Sequence, residues 1–126
     1  MLQRKTIMIL DPSPNVRQRL KEAVYENETL VDVVEAESVD QATGMLRYQL
    51  PDVVFTEIDL PLEEGGRLIA SIKGMAPESR IIVITGNDSE ECRTAAMQYG
   101  ADDFLIREDA VGLRLIDLIH EAVRGR

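Results

Sequence analysis

The sequence predicts an α/β protein, a three-layer αβα sandwich on a doubly wound, parallel five-stranded sheet of order 2-1-3-4-5. Three observations predict it. Short apolar runs recur at Ile7–Leu10, Val53–Phe55, Ile81–Ile84 and Phe104–Ile106, and Val31–Ala36 reads as a further strand. Runs of this length and content suit strands buried on both faces. Each is followed by a stretch of helical period, and strands that alternate with helices pair in parallel through right-handed crossovers. The order 2-1-3-4-5 is a common arrangement for five such units, and it puts the switch point between strands one and three. The 126 residues fit a single domain, 1–126.

Each element carries its own signals. Asp11-Pro12 stops the first strand, and Ser13-Pro14 reads as an N-cap with proline at the first helical position. Val16, Leu20 and Val24 then recur every four residues and face a core. Ser38 and Gln41 have capping-box spacing, ahead of Val39, Ala42, Met45 and Leu46 on one side of a second helix. Pro51-Asp52 breaks the chain before strand three. Asp59 to Gly66 reads as a loop, with Glu63 and Glu64 solvated and Gly65-Gly66 supplying backbone freedom. A third helix carries Leu68, Ile69 and Ile72 inward. After strand four, Asp88 or Ser89 caps a helix with Glu90 and Glu91 in its first turn, where the helix dipole favours anions. Cys92, Ala95, Ala96 and Tyr99 share the inner face of that helix, and Gly100 closes it. Asp102-Asp103 serves the turn into strand five. Asp109 caps the last helix, with Val111, Leu115, Leu118, Ile119 and Ala122 inward.

Composition narrows the function. With 44% hydrophobic and 29% charged residues the chain is a soluble globular one, expected in the cytoplasm. A formal net charge of −9 repels phosphate backbones and anionic lipid, which argues against nucleic acid and membrane as partners. No apolar stretch reaches membrane-spanning length. The single cysteine, Cys92, allows no internal disulfide and reads as a small core residue. The single histidine, His120, reads as a surface residue rather than a phosphotransfer group or metal ligand.

The carboxyl edge of the sheet collects chemistry. Strand one ends at Asp11, strand three at Glu57 with Asp59 just beyond, strand four at Thr85 and strand five at Arg107. Carboxylates, a hydroxyl and a fixed cation on one shallow pocket suit a hard cation plus a phosphoryl group. At these positions the chain resembles response-regulator receiver domains of two-component signalling, over nearly its whole length. The resemblance rests on Ile7 to Asp11, Pro51 to Pro61 with Gly65, Ile82 to Gly86, and Gly100-Ala101-Asp102-Asp103-Phe104.

The resemblance implies the flavodoxin-like receiver fold and a role in a phosphorelay rather than an enzyme. It assigns Glu57 to the phosphoacceptor position, Asp11, Glu57 and the backbone carbonyl of Asp59 to the metal positions, Thr85 and Phe104 to the switch pair, and Arg107 to the family's lysine. The departures are at the chemistry. Pro12 stands where receivers carry a second metal-ligating acid, Glu57 where they carry the phosphorylated Asp, Arg107 for the lysine and Glu108 for a following proline. The pocket is therefore degenerate. A proline supplies no side-chain ligand, so Mg²⁺ binding is expected to be weak or absent. Glutamate displaces the carboxylate by roughly 1.5 Å, about one bond length, which in-line phosphoryl transfer tolerates poorly. Arginine prefers bidentate carboxylate, so a Glu57–Arg107 pair that imitates the phosphorylated state is one reading, and drift of a pocket released from function is the other.

The function expected is a pseudo-receiver, a phosphorylation-independent protein-interaction module. Its partner is expected to be a sensor kinase, an output domain, or a second copy docked through the last helix and fifth strand. Leu113, Ile116 and Val123 lie off the inward stripe there and either form that patch or widen the buried face. The alternatives are an active phosphoacceptor with Mg²⁺-dependent phosphorylation at Glu57 or Asp59, and a flavodoxin-like or nucleotide-binding enzyme. No G-x-G-x-x-G follows any strand to support the last. A free-standing receiver and one detached from an output domain both fit this sequence.

Overall fold

A computed structural model describes the backbone over residues 4–57, 62–86, 89–107 and 113–124, and the side chains over the same ranges except 57 and 62–64. The chain alternates β1 (Lys5–Leu10), α1 (Pro14–Asn27), β2 (Val31–Ala36), α2 (Val39–Leu46), β3 (Val53–Glu57), α3 (Leu62–Met75), β4 (Arg80–Thr85), α4 (Glu90–Tyr99), β5 (Asp103–Ile106) and α5 (Leu113–Arg124). The strands form one sheet of order β2-β1-β3-β4-β5 with every neighbour parallel, as the alternating pattern predicts. Strand β1 is central to the switch point, since Ile7 pairs with Val33 on one side and Val53 on the other.

The sheet separates two apolar cores. Met8, Leu10, Val54, Ile81, Val83 and Phe104 face α2, α3 and α4, whereas Ile7, Ile9, Phe55, Ile82, Ile84 and Leu105 face α1 and α5. Successive residues of one strand thus enter opposite layers, which is the period-two geometry of a strand buried on both sides.

The helix ends follow the local chemistry of their sequences. The Ser13 hydroxyl accepts from Val16 N at 3.3 Å, with Pro14 opening α1. The Ser38 hydroxyl accepts from Gln41 N at 3.1 Å, but Gln41 reaches back to Glu37 N at 2.7 Å rather than to Ser38. The box is therefore shifted by one residue. Ser89 is the cap of α4, accepting from Cys92 N at 3.1 Å. Gly100 ends α4 at a φ of 121°, a conformation that L side chains rarely adopt. The cap assigned to Asp109, and the inward Val111, lie outside the described residues.

The readings of the α3 start, Gly66, Tyr99 and His120 need correction, and the alternatives left open for Val123 resolve. Residues 63 to 66 are helical, since α3 begins at Leu62. Gly66 serves close packing rather than loop freedom, because a Cβ there would meet the Tyr99 ring at 2.2 Å. Tyr99 itself lies at the rim of α4 and is partly exposed, not inside. Val123 is buried in the core shared by α1 and α5, so it widens the inner face of α5, while Leu113 stays 79% exposed. His120 is half-buried rather than superficial. Its Nδ1 lies 2.6 Å from Glu28 Oε1, an oxygen that Arg124 Nε also approaches at 3.1 Å, and together they tie α5 to the end of α1.

Candidate functional site

The carboxyl ends of β1, β3, β4 and β5 converge because parallel strands all end at the same edge. Leu10 pairs with Thr56, Glu57 with Ile84, and Thr85 with Ile106. This register brings Asp11, the backbone of Glu57, Thr85 and Arg107 to neighbouring strand ends. The side chain of Glu57, and Asp59 entirely, lie outside the described residues, as does Glu108.

Asp11 is buried, with 5% of its surface exposed. Its Oδ1 accepts from Ser13 N at 2.7 Å. Among the described residues no donor meets Oδ2. Its backbone carbonyl accepts from Arg17 Nη1 at 2.6 Å, and Arg17 Nε also donates to Glu35 Oε1 at 3.0 Å. A guanidinium spanning β1 and β2 thus holds the β1–α1 turn in place. Pro12, next along, is exposed and offers no donor or acceptor in its side chain. Among the described residues no three His, Cys, Asp or Glu side chains gather as a metal-holding group.

Thr85 is buried at the end of β4. Gly86 follows, and its lack of a side chain makes room for Arg107, whose Nη1 would lie 2.9 Å from a Cβ at that position. The guanidinium of Arg107 therefore lies across the β4 end, where Thr85 also sits. Phe104 is 8% exposed and turned into the core of the α3–α4 layer. The guanidinium of Arg93 covers it, with Cζ 4.8 Å from the ring centroid. Arg17, Gly86 and Arg93 were not legible as site residues in the sequence. Each acts on a residue in another element or through an absent side chain, and neither leaves a periodic or spacing signal.

Beside Asp11 the edge opens into a cavity of about 370 Å³ between the β1–α1 turn, the β2–α2 turn and β3. Leu10, Pro12, Val16, Val39 and Leu68 make most of its wall, with Asp11 and Glu37 as its acids. It lies on the β2 side of the switch point, whereas Arg107 lies on the β5 side.

Among the described residues no helix is long and apolar enough to cross a membrane. The description "Response regulator receiver domain" matches residues 7–117. The nitrate/nitrite response regulator protein NarL of Escherichia coli (strain K12) is 24% identical over 120 residues, covering 95% of this chain and 55% of NarL, so the chain spans about half the length of that relative. The chemotaxis protein CheY of Bacillus subtilis (strain 168) is 30% identical over 101 residues, covering 80% of this chain and 83% of CheY. Among solved structures, a response regulator from Thermotoga maritima superposes with a TM-score of 0.85 at 21% identity, covering 96% of this chain and 98% of that one. With a family match running from within β1 into the first turns of α5, the chain belongs to the response regulator receiver domain family of two-component signalling.

Proposed function

We propose that this receiver is a pseudo-receiver, signalling by protein contact without accepting a phosphoryl group. The observation that carries the reading is the β1–α1 turn. Asp11 has one oxygen committed to Ser13 N, and the next residue, Pro12, contributes no side-chain ligand. Mg²⁺ demands near-ideal octahedral oxygen geometry. One half-engaged carboxylate beside a proline and an apolar wall is a poor fit to it. Position 57 adds a second obstacle, since Glu57 replaces the Asp that the family phosphorylates. Phe104 rests inward and Arg107 is at the β4 end, which is compatible with a switch held in one state by the chain's own charges. A Glu57–Arg107 pair would bias that switch only by its difference in strength between the two states.

The partner is a protein: a sensor kinase, an output domain or a second copy. The face of α4, β5 and α5 exposes Met97 and Leu113 for it, with Tyr99 at the rim. Incubation with acetyl phosphate and Mg²⁺, followed by intact-mass measurement, tests the reading. The mass should not change. A phosphoryl adduct mapped to Glu57 or Asp59 would overturn it in favour of an active phosphoacceptor.

A further inference from the structure

The cavity beside Asp11 has the wrong lining for phosphate and the wrong donors for a metal. Two helices begin on its wall, and helix N-termini attract anions when their N–H groups are available. Here the Ser13, Val16, Glu37 and Gln41 N–H groups are all taken by side-chain oxygens of Asp11, Ser13, Gln41 and Ser38. What the cavity presents instead is an acceptor. Asp11 is buried, lines the cavity, and has Oδ2 without a donor among the described residues. Glu37 adds a second negative charge at the rim. The rest of the wall is apolar, and about 370 Å³ is within the range of small-molecule sites.

We propose that this cavity binds a small organic cation, a primary ammonium on a compact aromatic or branched aliphatic body. The ammonium donates to Asp11 Oδ2, and the body packs against Pro12, Val16, Val39 and Leu68. The charge complement is what selects this class: a carboxylate of a largely buried residue, with one oxygen open to the cavity, is stabilised by a donor cation, and the apolar walls reject a hydrated metal ion. Pro12 gains a role in this arrangement, as wall rather than as a missing ligand. The cavity and its carboxylate are in place whether or not position 57 accepts phosphoryl, so the site goes beyond the pseudo-receiver reading and does not depend on it.

The test is a ¹H–¹⁵N NMR titration of the whole chain with 2-phenylethylammonium, alongside 3-phenylpropanoate as an anion of similar size and MgCl₂. The ammonium should give saturable shifts centred on the amides of Asp11, Ser13, Val16, Val39 and Leu68, with a Kd of about 1 mM or tighter, the range open to a fragment of this size. The carboxylate should leave those amides unmoved. Asp11→Asn keeps the acceptor for Ser13 N but removes the charge, and should weaken binding about tenfold or more. Val39→Trp, at a partly exposed position on the rim, should abolish it by filling the cavity while leaving the remaining spectrum intact. Absence of saturable shifts at these amides overturns the proposal. So do equal responses to the anion, unchanged affinity in Asp11→Asn, or the same shift pattern from Mg²⁺ alone.

Discussion

Removing the guanidinium above Phe104 should loosen the aromatic ring that the proposed switch turns on. Arg93 lies on α4 with Cζ 4.8 Å from the Phe104 centroid, and the ring beneath is 8% exposed. A cation over an aromatic face at an exposed site contributes about 0.5–1 kcal/mol. If that contact exists only when the ring is inward, its loss in Arg93→Ala raises the outward population about two- to five-fold, since RT is about 0.6 kcal/mol. The chain suits the assay because it has only two phenylalanines. Phe55 is fully buried between β1 and β4 and serves as an internal reference. With 4-fluorophenylalanine incorporated, the ¹⁹F spectrum should show two resonances. In Arg93→Ala the Phe104 resonance should shift or broaden towards a solvent-exposed value while that of Phe55 stays fixed. Arg93→Lys should fall between them, because an ammonium keeps the charge without the planar stacking. An unchanged Phe104 resonance in Arg93→Ala would refute the reasoning, and so would a wild-type spectrum already divided between inward and outward forms.

Gly100→Ala should lower stability by about 1–2 kcal/mol, and Tm by about 4–8 °C in calorimetry, because φ is 121° there and the new Cβ would meet Lys73 Cγ at 3.2 Å. Burial, with Glu91 adding to it, pushes the Cys92 thiol up, so the folded state disfavours the thiolate. Its contribution to stability is complete below the unfolded thiol pKa, about 8.5, and is lost as pH rises through the raised folded value; iodoacetamide at pH 8 should modify native protein more slowly than urea-unfolded protein, and equal rates would contradict this. The triple variant Pro12→Asp, Glu57→Asp, Arg107→Lys should unfold in urea within about 1 kcal/mol of wild type, as exposed and edge positions usually do; a loss of more than about 2 kcal/mol would show that the altered pocket supports the fold.

The strands and most of the helices were legible because their signals are local. A strand buried on both faces must be apolar throughout, and Ile7–Leu10 and Ile81–Ile84 are. The start of α3 was not legible. Gly65 and Gly66 each weaken a helix by about 1 kcal/mol relative to alanine, so their sequence argues for a loop. The compensation is tertiary: the space of a Gly66 side chain is occupied by the Tyr99 ring, thirty-three positions further along. Val123 was ambiguous for a related reason. A helix that packs on both a sheet and α1 buries a stripe wider than its strict period. At the site, strand-end arithmetic was enough to bring Asp11, Thr85 and Arg107 to one edge, whereas Phe104 came only from the resemblance. The cover over Phe104 and the cavity beside Asp11 depend on which side chains meet across layers, and sequence spacing carries no record of that.

The two edges of the sheet divide the labour between stability and function. Many of the polar ties that bind strands and turns together lie at the amino edge, with the Arg17 tie from Asp11 O to Glu35 at the opposite one. Asp52 Oδ2 accepts from Thr6 N at 2.8 Å, and the Ser79 hydroxyl donates to the Pro51 carbonyl. Asp102 Oδ2 accepts from Ile81 N at 2.8 Å and from Lys73 Nζ at 3.0 Å, joining β4, β5 and α3. Arg80 grips Asp103 through Nε at 2.6 Å and Nη2 at 3.1 Å, with Glu121 of α5 at 3.3 Å. That half-buried, bidentate arrangement raises the Arg80 pKa, chiefly through the hydrogen bond to Asp103. Such charge-assisted pairs are about twice as strong as neutral hydrogen bonds. The carboxyl edge, by contrast, carries Asp11, Pro12, Glu57 and Arg107 on top of cores already closed beneath them. This separation is the physical reason the sheet and its two cores can stand while the residues at the carboxyl edge differ, as Pro12 and Glu57 do from the pattern the resemblance implies.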